Sequence, residues 1–534
     1  MRSWGIVFTV AMGFLMGFVL AGIGGISAGL NAAQTQSKLE INKIEEYWAK
    51  SDLQESELRK LVNDKTCHLS EKYFLACVNS VNNALALTSE RLGLTGEIWP
   101  AYSETTSLDN FKEKETLAPF SKIYKEQINS SFSFDSLWDL ILAKAGPKTP
   151  LKYLLAQGIN GYLSVSKDPH TYILPMAYFD QVSSQSERSP FFVGLSFEKD
   201  NHGQLRIKKV VRNSDAAMGG LIAGDIVNSI NGKKAESLSL ADAGQILKDR
   251  NIRIFNFIIK RDNATLVKNV QRSYRVLSQV YAEVVTGLRN FGVITISKFS
   301  KNTCNEVSAA ILEMADKNIS GLVLDLRDNP GGHLSEAACL TGLFIGENKT
   351  IYSVEYFDLS KSNEVVLTSA ERIYSGALAV LVNTNSASAA ELFAGAIQEY
   401  RRGIVIGAKT FGKGTFQEIE SWDKSTNIGF FKTKGFYLLP SGRSTQFYGV
   451  TPDIELAEAK ASDSSEETNY MNPIKPVNLV SSHKKLELPL QLCNKQNNSS
   501  INDSIISKAV DSLSCTDLMS YVALQYDSNQ TSPE

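Results

Sequence analysis

Ala377-Leu378-Ala379-Val380-Leu381-Val382-Asn383-Thr384-Asn385-Ser386-Ala387-Ser388-Ala389-Ala390-Glu391 reads as a strand that empties into a polar turn and restarts as a helix. The first six residues are an unbroken apolar run of buried-strand length. Asn-Thr-Asn-Ser is turn chemistry. Ala389, Ala390, Leu392, Phe393, Ala394, Ala396 and Ile397 are helix formers or apolar at helical spacing, which sets Ser388 at the helix start. Free N–H groups and the positive dipole end gather there and would favour an oxygen on which negative charge develops.

The pattern recurs on both sides. Upstream, Gly321-Leu322-Val323-Leu324-Asp325-Leu326-Arg327-Asp328-Asn329-Pro330-Gly331-Gly332 is strand and turn, followed by a helix predicted from His333 to Ile345. Downstream, Gly403-Ile404-Val405-Ile406-Gly407 is a second buried strand, leading into Thr410-Phe411-Gly412-Lys413-Gly414-Thr415-Phe416-Gln417. Alternating strands and helices predict an α/β fold whose layer is mainly parallel and covered by helices. Asp325 and Arg327 are expected to pair beneath the loop, because a buried charge needs a partner.

A serine hydroxyl attacks only when a base takes its proton, and a lysine can be that base only when its amine is neutral. At an ordinary pKa of about 10.4, roughly one lysine in 2,500 is neutral at pH 7, so the site must bury Lys413. Each residue also has a plainer reading. Ser386 and Ser388 suit helix caps, Lys413 a solvated loop and Gln417 a polar strand position. Gly407 to Lys413 imitates a phosphate loop, but Gly414 stands where that motif needs Ser or Thr. Gly25-Ile26-Ser27-Ala28-Gly29 matches GxSxG without a strand-turn-helix context and is a chance match. The five histidines are scattered without metal-ligand spacing, and only His333 lies near the proposed site, where it could instead begin a helix.

These segments together resemble the carboxyl-terminal processing (tail-specific) proteases, a Ser/Lys peptidase family. Asp325 through Gly332, Ser386 through Glu391 and Thr410 through Gln417 are similar to its three signature segments in order and spacing. Asp168-Pro169-His170-Thr171, Pro440-Ser441-Gly442-Arg443 and Gly449-Val450-Thr451-Pro452-Asp453-Ile454 extend the resemblance to about residues 150–456. The resemblance implies a ClpP/crotonase-like βαβ protease core with an inserted PDZ domain, Ser388 as nucleophile, Lys413 as general base and Gln417 as the residue that orients the lysine. It also implies an oxyanion hole from backbone N–H groups of Ala389 and of Gly331 or Gly332. Ala390 stands where the family often has serine and Glu399 where it often has aspartate; neither position is the nucleophile or the base.

Residues from about Phe191 to Arg272 have a different character and resemble a PDZ domain. Phe191, Phe192, Val193, Gly194, Leu195, Ser196 and Phe197 are similar to its carboxylate-binding loop and strand, and Gly219 to Gly232 to its central turn and strand. A helix from Leu238 to Leu247 is predicted beside the groove, where a peptide end can add as a strand. The expected division is an N-terminal segment 1–33, a mainly helical region 34–190, the PDZ domain 191–275, the protease core 276–456, and a linker (Ala457 to Thr468) with a helical extension over 457–534.

Trp4 to Leu30 carries no charge, and as a helix its 27 residues would reach about 40 Å, enough for a hydrocarbon layer of roughly 30 Å. Arg2 before it predicts an inside N-terminus and an exported body. An uncleaved anchor is favoured over a signal peptide, whose core is shorter, although Asn31-Ala32-Ala33 offers a cleavage site. A net charge of −2 over 534 residues leaves no broad basic surface for nucleic acid. Six cysteines agree with an oxidising compartment. Cys67/Cys77 and Cys493/Cys515 are the first expected pairs, with Cys304 and Cys339 as buried thiols. The expectation is therefore an anchored or secreted serine endopeptidase on the periplasmic side of the inner membrane, with a plastid lumen as the other setting. It would select apolar C-terminal tails and need neither cofactor nor metal; a homo-oligomer or an adaptor protein is left open. The alternative is a non-catalytic PDZ scaffold on the same fold. A third reading, acyl-CoA chemistry, is opposed by the serine and lysine segments.

Overall fold

The computed structural model describes residues 44–92, 133–145, 150–184, 187–188, 193–200, 203–210, 214–249, 251–262, 264–273, 277–423, 425–459, 466–470, 472–476 and 503–515. The proposed anchor and the Phe191-Phe192 pair lie outside these residues. No helix among the described residues is long and apolar enough to cross a membrane.

The N-terminal region packs helices α1 (Glu71–Leu92), α2 (Phe134–Ala145) and α3 (Leu151–Ser166) around Trp48, Trp138 and Tyr153. The expected Cys67–Cys77 bridge is present. The region is not purely helical, since strand β1 (Tyr172–Pro175) leaves it to join a sheet of the core.

The PDZ region is a sheet in the order β2 (Leu195–Lys199), β3 (Leu205–Val210), β4 (Ile226–Ile230), β5 (Ile254–Arg261), β6 (Ala264–Gln271), with α4 (Leu240–Lys248) packed on β2. Ser239 caps the start of α4, its hydroxyl accepting from the Asp242 N–H. At the other end, the buried Arg272 guanidinium donates to the Asp249 carbonyl at 2.6 Å, the Ile252 carbonyl at 3.0 Å and the Leu247 carbonyl. Leu247 and Asp249 stand at the helix end, so Arg272 ties that end to the Ile252 turn. Arg272→Met should destabilise this domain by about 2 kcal/mol. Hydrogen exchange would report it as lost protection in α4, with the catalytic core unchanged. The two ends of the insert meet, Glu187–Arg188 pairing antiparallel with Leu277–Ser278.

The core follows as β7 (Val280–Val285), β8 (Asn290–Ile296), α5 (Thr303–Ala315), β9 (Ile319–Asp325), α6 (Leu334–Ile345), β10 (Thr350–Tyr356), β11 (Glu364–Leu367), β12 (Ala377–Val382), α7 (Ala389–Glu399), β13 (Ile404–Gly407), β14 (Thr415–Ser421), β15 (Ile428–Leu438) and β16 (Ile454–Glu455), then α8 (Ser504–Ser514). Its main sheet has the order β7-β8-β9-β12-β13-β16 and is parallel except for β7 against β8. Helices α5, α6 and α7 cover one face, where Leu322, Leu324 and Val380 pack with Val307, Leu340 and Phe393. On the other face Val323, Ala379 and Leu381 pack with Ile506, Val510 and Leu513 of α8. Both faces are dry, which is why these strands are continuous apolar runs rather than alternating ones. The C-terminal helix α8 therefore docks on the body. A second sheet, β1-β15-β10-β11 with β14 also on β15, carries the lysine loop.

Two expectations are corrected. Cys304 and Cys339 form a disulfide rather than standing as thiols, because α5 and α6 lie side by side and bring the two Cα atoms to 6.0 Å. The acid-rich stretch expected as a linker delivers Glu467 into the interior, where it is fully buried. Cys515 is also disulfide-bonded, and its expected partner Cys493 lies outside the described residues.

Candidate active site

Strand β12 ends in the interior at Val382, and residues 383–388 turn the chain into α7. Ser388 sits at the N-cap of α7 with φ 56° and ψ −116°, a backbone conformation that costs a non-glycine residue energy and holds its side chain off the turn. It is buried, and its Oγ makes no hydrogen bond among the described residues. Gly331 makes the close approach possible: a Cβ there would lie 2.8 Å from the Ser388 Cβ and 2.7 Å from the Ala387 carbonyl oxygen.

Lys413 is buried on the loop between β13 and β14. Its Nζ donates to the Thr415 carbonyl at 3.0 Å and to Gln417 Oε1 at 3.1 Å. Burial brings the amine down to about 8, against the buried carboxylates of Glu467, Asp168 and Glu391, which favour the charge. Roughly one amine in ten is then neutral at pH 7. The structure thus brings Ser388, Lys413 and Gln417 into one interior region, with no Ser388–Lys413 hydrogen bond.

Glu391, which closes one of the signature-like segments but has no role assigned from the sequence, joins the two loops. Its Oε2 accepts from the Ser388 N–H at 2.7 Å and the Lys413 N–H at 2.9 Å, while Oε1 accepts from the Thr410 hydroxyl at 2.6 Å and the Gly412 N–H at 2.7 Å. Burial pushes its carboxyl up to about 7 against these donors, which favour the charged form. Behind it, the Tyr437 hydroxyl stands 2.7 Å from the Lys413 carbonyl oxygen and 3.1 Å from that of Ser388, and accepts from the Thr445 hydroxyl. Tyr437 carried no sequence signal, since its neighbours spell an ordinary strand.

The glycine turn after β9 completes the region. Asn329 Oδ1 takes the Gly331 N–H at 2.8 Å, so of the two glycine amides expected for an oxyanion hole that of Gly331 is already engaged. Beneath the turn, Arg327 pairs with Asp325 at 2.6 Å and with Asp503 at 2.8 Å. Burial opposes the Arg327 charge, but these carboxylates outweigh it and hold the guanidinium above its ordinary value. His333 is pulled down to about 4 by burial and by Lys298 and Lys301, so it is neutral at pH 7. Glu399, the departure noted in the sequence, is paired with Arg443 at 3.0 Å. No cluster able to hold a metal ion occurs among the described residues.

In the PDZ region β2 pairs, among the described residues, only with β3, and its other edge lies beside α4. Leu195 and Phe197 face the core with Leu240, Ala243 and Leu247, and Ser196 points to the opposite face. Val193 is buried, its carbonyl accepting from the Ala216 N–H at 2.9 Å. Gly194 has φ 92°, and a Cβ there would collide with Ser214.

Residues 290–456 match the model of peptidase family S41, and residues 181–254 that of the PDZ domain. A protein of Staphylococcus haemolyticus named "Probable CtpA-like serine protease" is 29% identical over 302 residues, covering 56% of this chain and 59% of its own length. A protein of the same name from Staphylococcus epidermidis is 28% identical over 310 residues, covering 58% of this chain and 61% of its own length. Among solved structures, the photosystem II D1 C-terminal processing protease is 23% identical with a TM-score of 0.36, covering 60% of this chain and 87% of that one. The chain spans about 60% of the length of the curated relatives it matches. The S41 match runs from β8 to β16 across the loops that carry Ser388 and Lys413, so this region is similar to peptidase family S41, with a PDZ match ahead of it.

Proposed function

We propose that this protein is an exported serine endopeptidase that cleaves polypeptides with apolar C-terminal tails by a Ser-Lys mechanism. The observation that carries the reading is Lys413: a buried amine lowered to about 8, on a loop that shares a carboxylate oxygen with the strained Ser388. In this mechanism a substrate carbonyl enters beside Ser388, neutral Lys413 swings from Thr415 to take the hydroxyl proton, and Oγ attacks. The Ala389 and Gly332 N–H groups receive the oxyanion, and Lys413 returns the proton to the leaving amine. Water then releases the acyl group by the same steps reversed in order. Gln417 holds the lysine by accepting a hydrogen bond from its Nζ.

The open edge of β2 supports selection of tails by strand addition, its buried apolar neighbours receiving the last side chain. The Cys67–Cys77 and Cys304–Cys339 bridges, together with the uncharged run after Arg2, support export to an oxidising compartment and anchorage there. The unbonded Ser388 Oγ favours one other reading, a PDZ scaffold that binds tails without cutting.

One experiment separates them. The full chain is mixed with an unstructured protein ending in apolar residues, quenched in acid, and digested for mass spectrometry. New internal termini and an acyl adduct on the Ser388 peptide are expected; stable binding with the partner left intact would overturn the enzyme reading.

A further inference from the structure

Asp168 lies just past the C-terminal end of α3, a place where the helix dipole disfavours an anion, yet it is buried. It makes no ion pair among the described residues. Instead its Oδ1 accepts from the Thr433 hydroxyl at 2.7 Å and the His170 N–H at 3.0 Å, and its Oδ2 accepts from the Thr171 hydroxyl. Thr433, on β15, in turn accepts from Gln417 Nε2 at 3.3 Å, and Gln417 Oε1 accepts from Lys413 Nζ at 3.1 Å. The path from the lysine to the carboxylate is continuous and runs wholly through buried side chains.

Its polarity has one sense. An ionised carboxylate has no hydrogen to give, so the Thr433 hydroxyl must donate to it and keeps only lone pairs for Gln417. Those lone pairs demand the amide NH₂. Gln417 therefore turns its oxygen, and not its NH₂, toward the lysine. Reversed, the amide would set N–H groups against an ammonium.

Resting on the reading of Lys413 as the base, we infer that Asp168 and Thr433 are positioning residues of the reaction: through one directional relay they fix the Gln417 amide, and with it the place and charge of the lysine. The charged groups facing Lys413 are Asp168, Glu467 on the 466–470 segment and Glu391 on α7. His170 Nε2 engages Glu467 at 2.8 Å, and Lys72 on α1 faces Asp168 from the far side.

Asp168→Asn supplies an NH₂ that can donate to Thr433, which frees the hydroxyl to donate toward Gln417 and flips its amide. It also removes a negative charge. Both changes disfavour the ammonium, so the acid limb of kcat/KM should move to lower pH by about half a unit or more. Thr433→Val breaks the relay with no change of charge, and Thr433→Ser restores the hydroxyl. Using the full chain and a peptide substrate, Asp168→Asn and Thr433→Val should each lower kcat about tenfold with KM nearly unchanged, because the base is misplaced and not the substrate. Thr433→Ser should recover most of that loss. If folded Thr433→Val matches the parent in kcat and in pH profile, the relay is wrong, even where Asp168→Asn fails to fold. Lys413→Met is the control: if it turns over normally, the catalytic reading falls and not merely the relay.

Discussion

Ser388→Ala and Lys413→Met should each cut peptide-bond hydrolysis by about 10⁴-fold or more while leaving the fold in place. The first removes the proposed nucleophile. The second removes the proposed proton acceptor, and if the two act as a unit the double variant should lose little beyond either single one. The pH dependence separates them from trivial losses. In the proposed mechanism activity requires neutral Lys413, so kcat/KM should rise with pH to a plateau above about 8. The stability sign follows from the same shift. The lysine is lowered in the folded chain from an unfolded value of 10.5 to about 8, so folding releases a proton between them. Its contribution is fully present above 10.5 and is lost as pH falls through 8, a cost of about 3 kcal/mol at neutral pH. Lys413→Met should erase that pH-dependent step in denaturant melts. Stability curves for parent and variant that stay parallel from pH 7 to 10.5 would show that the amine is not strained by burial.

Glu391→Gln should be the most damaging change that removes no proposed reacting atom. One oxygen of the carboxylate holds the backbones of Ser388 and Lys413, and the other holds Thr410 and Gly412. An amide keeps the shape but turns NH₂ toward two N–H or O–H donors, leaving two buried donors unsatisfied. At about 1–3 kcal/mol each, the loss should be about 3 kcal/mol, with activity down about a hundredfold because nucleophile and base lose a common anchor. The carboxyl is raised by burial from 4.5 to about 7, so its stability contribution is complete below 4.5 and is lost as pH rises through 7. Chemical denaturation and turnover, each followed from pH 5 to 8, would check both effects. A Glu391→Gln chain as active and as stable as its parent would refute the clamp.

Much of the fold was legible because buried parallel strands leave a plain trace. Gly321–Asp325, Ala377–Val382 and Ile404–Gly407 are continuous apolar runs, and the structure uses both their faces, against α5–α7 and against α8. The Asp325–Arg327 pair was also readable, since two opposite charges at the end of an apolar strand have little choice of partner. The proposed nucleophile and base stood out through glycine and small-residue neighbours. Tyr437 and Thr433 did not, because a strand position shows its face but not what crosses to meet it. Glu467 was hidden for another reason: its acid-rich surroundings match a solvated linker, and only the fold buries it against His170.

Local order set by neighbours a few residues apart was therefore determined by the sequence alone: the strand-turn-helix units, the strained serine turn, the glycine-flanked lysine and the PDZ insert. Tertiary structure decided the Cys304–Cys339 bridge, the docking of α8, and the ring of Glu391, Asp168 and Glu467 around one amine. These depend on charges and hydrogen bonds between segments far apart in the chain. Their energies are set by distance and by exclusion of water, and neither is written in the order of residues.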